Sequence, residues 1–292
     1  MLQNKKPYLL ILPAVLVIGI LFWGGLLLGF MQSLGVYSLA SESQFSFNGY
    51  IYLVKSKEFL ESLWISFRVS LISTLLSGVI GLYIVKIIFT IGEGKGSKYL
   101  KSVFQLPLLV PHIASAYLIG LLLMKSGWIS SIAYLFGFIN SIEEFPSLIN
   151  NTNSIGIIVT YLWKEVPFII LMLIPVVNRI EGSWLEIGRI YGCSRKRFFS
   201  EVVRPILMPT WISSMLIVFA FTFGDFEVPY LLGVTYPKFL SVYAYDIYIN
   251  GELNERGIAL AANFILALIT IIIGLIAYKI SRKSSITKEK RW

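Results

Sequence analysis

The stretch Arg179–Arg204, RIEGSWLEIGRIYGCSRKRFFSEVVR, followed by Pro205, decides how the rest of the chain is read. It is charged and polar, and it stands between two apolar runs, 155–177 and 206–224, each about the length that crosses a bilayer. Ser183 and Glu186 have capping-box spacing, so a helix is expected to start at Ser183. Trp184, Ile187, Ile190 and Tyr191 recur every three or four residues and predict a narrow apolar stripe. Gly192 stands where such a helix would stop, because glycine tolerates the left-handed conformation. Ser194 can cap a second helix with Phe198, Phe199, Val202 and Val203 on its apolar side, and Pro205 suits the start of the next span. The expected product is a stiff helix–turn–helix elbow hung between two membrane helices. Its stripe could dock on a separate cytoplasmic protein, or it could lie on lipid.

The remainder of the chain repeats the apolar theme. Of 292 residues, 56% are hydrophobic and 14% are charged, against roughly 25% charged in an ordinary soluble domain. Mean hydropathy is +0.76. The expected fold class is therefore all-α: a polytopic membrane protein with about six spans, near 8–30, 62–89, 102–124, 155–177, 206–224 and 257–280, as one transmembrane domain over 1–292. The first run is too long for a signal-peptide core and is read as an anchor. A shorter apolar run, 129–139, predicts a helix at the outer surface, and 225–256 is rich in tyrosine, as suits the headgroup level.

Basic residues set the orientation. Lys5, Lys6, Lys86, Lys95, Lys98 and Lys101, the cluster Arg195–Arg197 and the tail from Lys279 onward fall on one side, while Lys55, Lys57, Lys125, Lys238 and Arg256 fall on the other. The richer side is expected to be cytoplasmic, with both termini on it. The net charge of +9 is then a topology signal that also favours anionic lipid, and nucleic acid is not an expected partner.

Catalytic and metal chemistry have little to build on. Cys193 and His112 are the only residues of their kinds, so neither a disulfide nor a Cys/His metal cluster is expected. The run GEGKGSK, Gly92–Lys98, lacks P-loop spacing and reads as a basic turn. No Gly-x-Ser-x-Gly or His-Glu-x-x-His motif is present, so no catalytic residues, metal or cofactor are assigned to this chain.

Charges within spans are costly and are default functional candidates. Lys164 and Glu165 sit mid-span, followed by Pro167, which can break the helix; they either border a translocation path or form a buried ion pair. Asp225 and Glu227 end the fifth span and either meet a cationic solute or cap an interfacial turn. Arg68 is expected to snorkel to headgroups, and His112 to pack near a kink.

The elbow resembles the cytoplasmic signature of binding-protein-dependent ABC importer permeases, Glu-Ala-Ala followed by Gly and then Ile-x-Leu-Pro. Glu186, Gly192, Val202 and Pro205 fall on its spacing, with Pro209 beyond; Ile187 and Gly188 replace the alanines and Arg204 the leucine. LPLLVPHIA (Leu106–Ala114), YLWKEVPF (Tyr161–Phe168), FGDFEVPYLLG (Phe223–Gly233) and DIYINGELNERGIALA (Asp246–Ala261) resemble segments of the polyamine permeases in that group. The resemblance implies a bacterial inner-membrane location, a second permease subunit (a paralogue or an identical copy), two cytoplasmic ABC ATPases holding ATP and magnesium, and an extracytoplasmic substrate-binding protein. It implies ATPase coupling through Ser183, Glu186, Ile187, Gly188, Gly192 and Pro205, and a polyamine such as spermidine or putrescine as substrate. Ferric iron, thiamine and phosphonates are the alternatives within the group. A carrier driven by an ion gradient is the rival of another class; it would be expected to show inverted repeats and several midplane acids, of which only Glu165 qualifies.

Overall fold

A computed structural model describes residues 6–36, 45–92, 94–181 and 183–289. Among them every regular element is a helix. Six helical stretches are long and apolar enough to cross a membrane: Leu10–Ser33, Lys57–Ile91, His112–Leu135, Ile155–Ile180, Arg195–Gly224 and Arg256–Ile276. The second is a single helix of 35 residues, roughly 52 Å at about 1.5 Å per residue, so it projects well beyond a hydrocarbon core of about 30 Å.

The third differs from expectation. A span over 102–124 would cross Val110–Pro111, but the chain is broken there into helices Lys95–Leu109 and His112–Leu123. Proline forces its predecessor out of the helical region, and Val110 is extended (φ −88°, ψ 130°). Pro111 also lacks the N–H that would reach the Pro107 carbonyl. The fourth span behaves the opposite way: a break was expected at Pro167, yet helix Ile155–Glu181 runs through both Pro167 and Pro175. Buried neighbours Val166, Ile169, Ile170 and Leu173 hold it in register. The short apolar run expected at 129–139 is a separate helix, Trp128–Leu135, at the end of the third stretch.

The described residues divide into two compact units. Residues 1–60 and 240–267 form one, and residues 61–239 and 268–292 the other. In the first unit no side chain from Leu10 to Ile18 is buried. Helix Leu10–Ser33 widens by a π-turn at Gly19–Trp23 and is tied down only towards its end. There Phe30 meets Phe264 edge-on at 5.3 Å, and the Ser33 and Tyr50 hydroxyls are 2.7 Å apart.

The second unit holds the core that positions the site. Val85, Ile88 and Phe89 of the second span, Ile169, Leu173 and Val177 of the fourth, and Leu207 and Val218 of the fifth share it with Leu185, Phe198 and Phe199 of the elbow. Small residues let these helices close up. Ser62, Ser66, Ser70, Ser73 and Ser77 form one buried face of the second span. Gly78 and Gly81 follow it, and a Cβ at either would collide with Met215 or Ile169. The Trp211 indole N–H donates to the Gly78 carbonyl at 2.9 Å.

Candidate functional site

The elbow is built as its residue pattern predicts. Helix Ser183–Ile190 ends on Gly192 at φ +72°. The Gly192 N–H bonds to the Arg189 carbonyl at 2.9 Å and the Cys193 N–H to the Gly188 carbonyl at 2.9 Å. Together these two bonds make a Schellman stop. Ser194 then accepts from the Arg197 N–H at 3.4 Å and opens helix Arg195–Phe198. The turn Phe199–Val203 widens to π geometry just before Pro205, whose missing N–H could not serve the Glu201 carbonyl. The Ser183 side chain, and with it the capping contact, lies outside the described residues, as does Gly182.

The elbow has two faces. Leu185, Phe198, Phe199 and Val203 are buried in the chain's own core. Trp184, Ile187, Ile190 and Tyr191 point away from it; Trp184 is 56% and Tyr191 85% exposed. Gly188 shows why the signature wants a small residue there, since a Cβ would stand 2.8 Å from Phe198 Cδ2. Ile187, at the other alanine position, is on the outward face, so this chain's own packing does not limit its size. Glu186 is exposed beside it, and Pro205 is half-buried at the start of the fifth-span helix.

A seat for the elbow went unnoticed in the sequence. Arg195 Nη1 donates to the Phe89 carbonyl at 2.8 Å, with its guanidinium 5.8 Å from the centre of the Phe89 ring. The Phe89 ring stacks on Phe198 at 6.2 Å. Gly92, at φ +81°, ends the second span where any Cβ would overlap Arg195. The one local signal was Gly92 at the head of the basic turn Gly92–Lys98, with no sequence cue to an arginine over a hundred residues on.

The second constellation gathers three of the motifs into one place. Lys164 is 3% exposed, and its Nζ donates to the Pro107 carbonyl at 2.7 Å and to the Val110 carbonyl. Its contacts are therefore to the carbonyl end of helix Lys95–Leu109. Glu165, 5% exposed, lies 3.4 Å from His112 Nε2, and that ring packs 4.6 Å from Phe221. Glu227 accepts from the Ile113 N–H at 3.1 Å, which places its carboxylate at the amide end of helix His112–Leu123. Asp225 accepts from the Tyr161 hydroxyl at 2.9 Å and from the Glu227 and Val228 N–H groups at 3.2 and 3.3 Å, capping helix Glu227–Leu232. Burial raises the Asp225 carboxyl above the ordinary carboxylate range, with the Tyr161 hydroxyl and the two backbone N–H groups opposing it.

So Lys164, Glu165, Asp225 and Glu227 converge on the Val110–Pro111 break, and Pro167 lies one turn along the same helix. Lys164 is bonded to carbonyls and Glu165 lies against His112, so each of the two buried neighbours has a partner of its own. Arg68 donates to the Thr152 carbonyl, so its head is held by protein where headgroups were expected. Among the described residues no three His, Cys, Asp or Glu side chains are grouped to hold a metal ion.

Comparison with known proteins agrees with this architecture. The inner membrane ABC transporter permease protein YdcU of Escherichia coli is 28% identical over 60% of this chain, and that match spans 56% of YdcU. The trehalose/maltose transport permease MalF of Thermococcus litoralis is 23% identical over 96% of this chain and 95% of its own length. A bacterial ABC transporter involved in alginate import superposes with a TM-score of 0.81 at 19% identity, covering 96% of both chains, which is a likeness of fold. The family model described as the binding-protein-dependent transport system inner membrane component matches residues 77–286. That range takes in both the elbow and the broken third span, and the chain belongs to this family, whose members are the membrane-spanning permease components of such systems and not enzymes.

Proposed function

We propose that this chain moves a small solute inward by alternating access, driven by ATP hydrolysed on separate subunits. One observation carries the reading: the elbow offers an exposed apolar stripe, Trp184, Ile187, Ile190 and Tyr191, on a foundation packed with the second, fourth and fifth spans. A rigid body with one face in its own core and the other face bare suits the transfer of a push. Ser183, Glu186, Ile187, Gly188, Gly192 and Pro205 form the coupling element in this reading. The ATPases hold ATP and magnesium, and this chain holds no cofactor. A second permease subunit completes the path, and an extracytoplasmic binding protein delivers the solute. The distribution of lysine and arginine supports a cytoplasmic elbow and cytoplasmic termini, with 1–292 as one transmembrane domain.

The path runs along the third-span break, flanked by Lys164, Glu165, Pro167, Asp225 and Glu227. A polyamine such as spermidine or putrescine is the substrate placed first, because of the motif resemblance and the acids at Glu165, Asp225 and Glu227. Relatives named for trehalose/maltose and for sulfate support a second reading, a neutral or anionic solute. Extraction of the tagged chain in detergent tests the coupling. An ATP-binding subunit should come with it, and Trp184→Asp with Ile187→Asp should release that subunit while the permease stays folded. Retention of the subunit by the double variant contradicts docking through the stripe.

A further inference from the structure

The first half of the broken third span is held by the fourth span, and the second by the fourth span together with the segment just beyond the fifth. Helix Lys95–Leu109 ends with carbonyls that Pro111 cannot satisfy, and the aligned peptides put about half a negative charge there. The Lys164 ammonium, on the fourth span, sits on two of those carbonyls, Pro107 and Val110. A cation inside a membrane bundle is stabilised by carbonyls in this way. Helix His112–Leu123 begins after Val110 and Pro111 and has a further hold: Glu227, just beyond the fifth span, takes the Ile113 N–H. The His112 ring is shared between Glu165 of the fourth span and Phe221 of the fifth. Between the two halves only Val110 and Pro111 intervene, both extended, with ψ 130° and 150°. Two such residues can absorb a rotation that a continuous helix would resist.

We infer that Lys164 is a positioning residue, a strut that ties the first half of the broken third span to the fourth span, and that the Val110–Pro111 joint is the hinge it works. The inference rests on the permease reading above. The fourth and fifth spans leave the elbow on either side, so a displacement of the elbow reaches the first half through Lys164 and the second through both Glu165 and Glu227. Lys164 is accordingly not a ligand for the passing solute. Two of its three donors go to backbone carbonyls, and it is only 3% exposed.

The test measures the distance between the halves in the assembled transporter. Spin labels are placed at Tyr99 and Tyr117, both exposed, in a Cys193→Ser background. Distances are recorded in the nucleotide-free complex and after trapping with ATP and vanadate. The unsubstituted strut should give a shift between the two states. Lys164→Met should abolish the shift and broaden the distribution, and Lys164→Arg, which keeps the cation, should restore it. Glu227→Ala changes an exposed residue and removes the acceptor of the Ile113 N–H, so it reports even if Lys164→Met fails to assemble, and it too should lose the shift. A full shift in Lys164→Met, or in Glu227→Ala where the lysine variant does not assemble, overturns the strut and leaves the permease reading standing. No shift with the strut intact overturns both.

Discussion

The elbow and the third-span break are both interruptions of apolar helix, yet they are made in opposite ways. In the elbow each interruption is repaired by its own neighbours: Gly192 closes the first helix through Arg189 and Gly188, and Ser194 opens the second through Arg197. At Val110–Pro111 the repair comes from far along the chain, from Lys164 and Glu227. Local repair gives a body that keeps its shape when moved. Remote repair gives a joint whose shape depends on where its partners stand.

The largest expected effect breaks the remote side. Lys164→Met removes the cation from the Pro107 and Val110 carbonyls, and it should cost about 3 kcal/mol of stability, read as thermal unfolding in detergent. If the loss is under about 1 kcal/mol, the break is not held by that charge. Next, Gly188→Leu drives a side chain into Phe198 and should cost about 2 kcal/mol through overpacking, with loss of ATP-coupled uptake. Gly192→Ile sharpens the comparison, because nothing lies within 4 Å of a Cβ there and only the backbone objects. It should cost about 1–2 kcal/mol while the protein still inserts, and Gly192→Asn should recover most of that. Uptake by Gly192→Ile equal to that of the parent would count against the elbow's role.

A smaller effect concerns Tyr161 and Asp225. Tyr161→Phe removes one hydrogen bond and should cost about 1 kcal/mol. The raised Asp225 carboxyl also makes a pH prediction. Between the unfolded value, near 3.9, and its higher folded value, the folded protein binds more protons, so stability should fall as pH rises through that window. Acidification from neutrality should therefore raise the melting temperature of the parent relative to Asp225→Asn. Parallel pH profiles for the two proteins would contradict the assignment.

The same contrast explains what could be read from the residues alone. Ser194, Gly192 and the apolar set Phe198, Phe199 and Val203 act within a few positions of one another, so spacing revealed the elbow, both its stop and its cap. Pro111 announced a kink, but nothing nearby said that the span would part into two helices or that Lys164 would fill the gap. Pro167 carried the same local signal and broke nothing, because packing around Ile169 and Ile170 outweighed the lost hydrogen bond. Arg68 and Arg195 show the same limit: each finds a carbonyl from another element, Thr152 and Phe89, which no local pattern encodes. The buried serine face of the second span was visible as Ser62, Ser66, Ser70, Ser73 and Ser77, a period of three to four residues, but averaged hydropathy conceals it.

In the proposed mechanism the elbow between the fourth and fifth spans receives work done by another polypeptide. Solute accumulation in proteoliposomes tests it most directly, with the permease assembled with or without its ATPase subunits. Accumulation should require ATP and the ATPase, and should vanish in Gly188→Leu. Accumulation by the permease alone, on a sodium or proton gradient, would contradict the account.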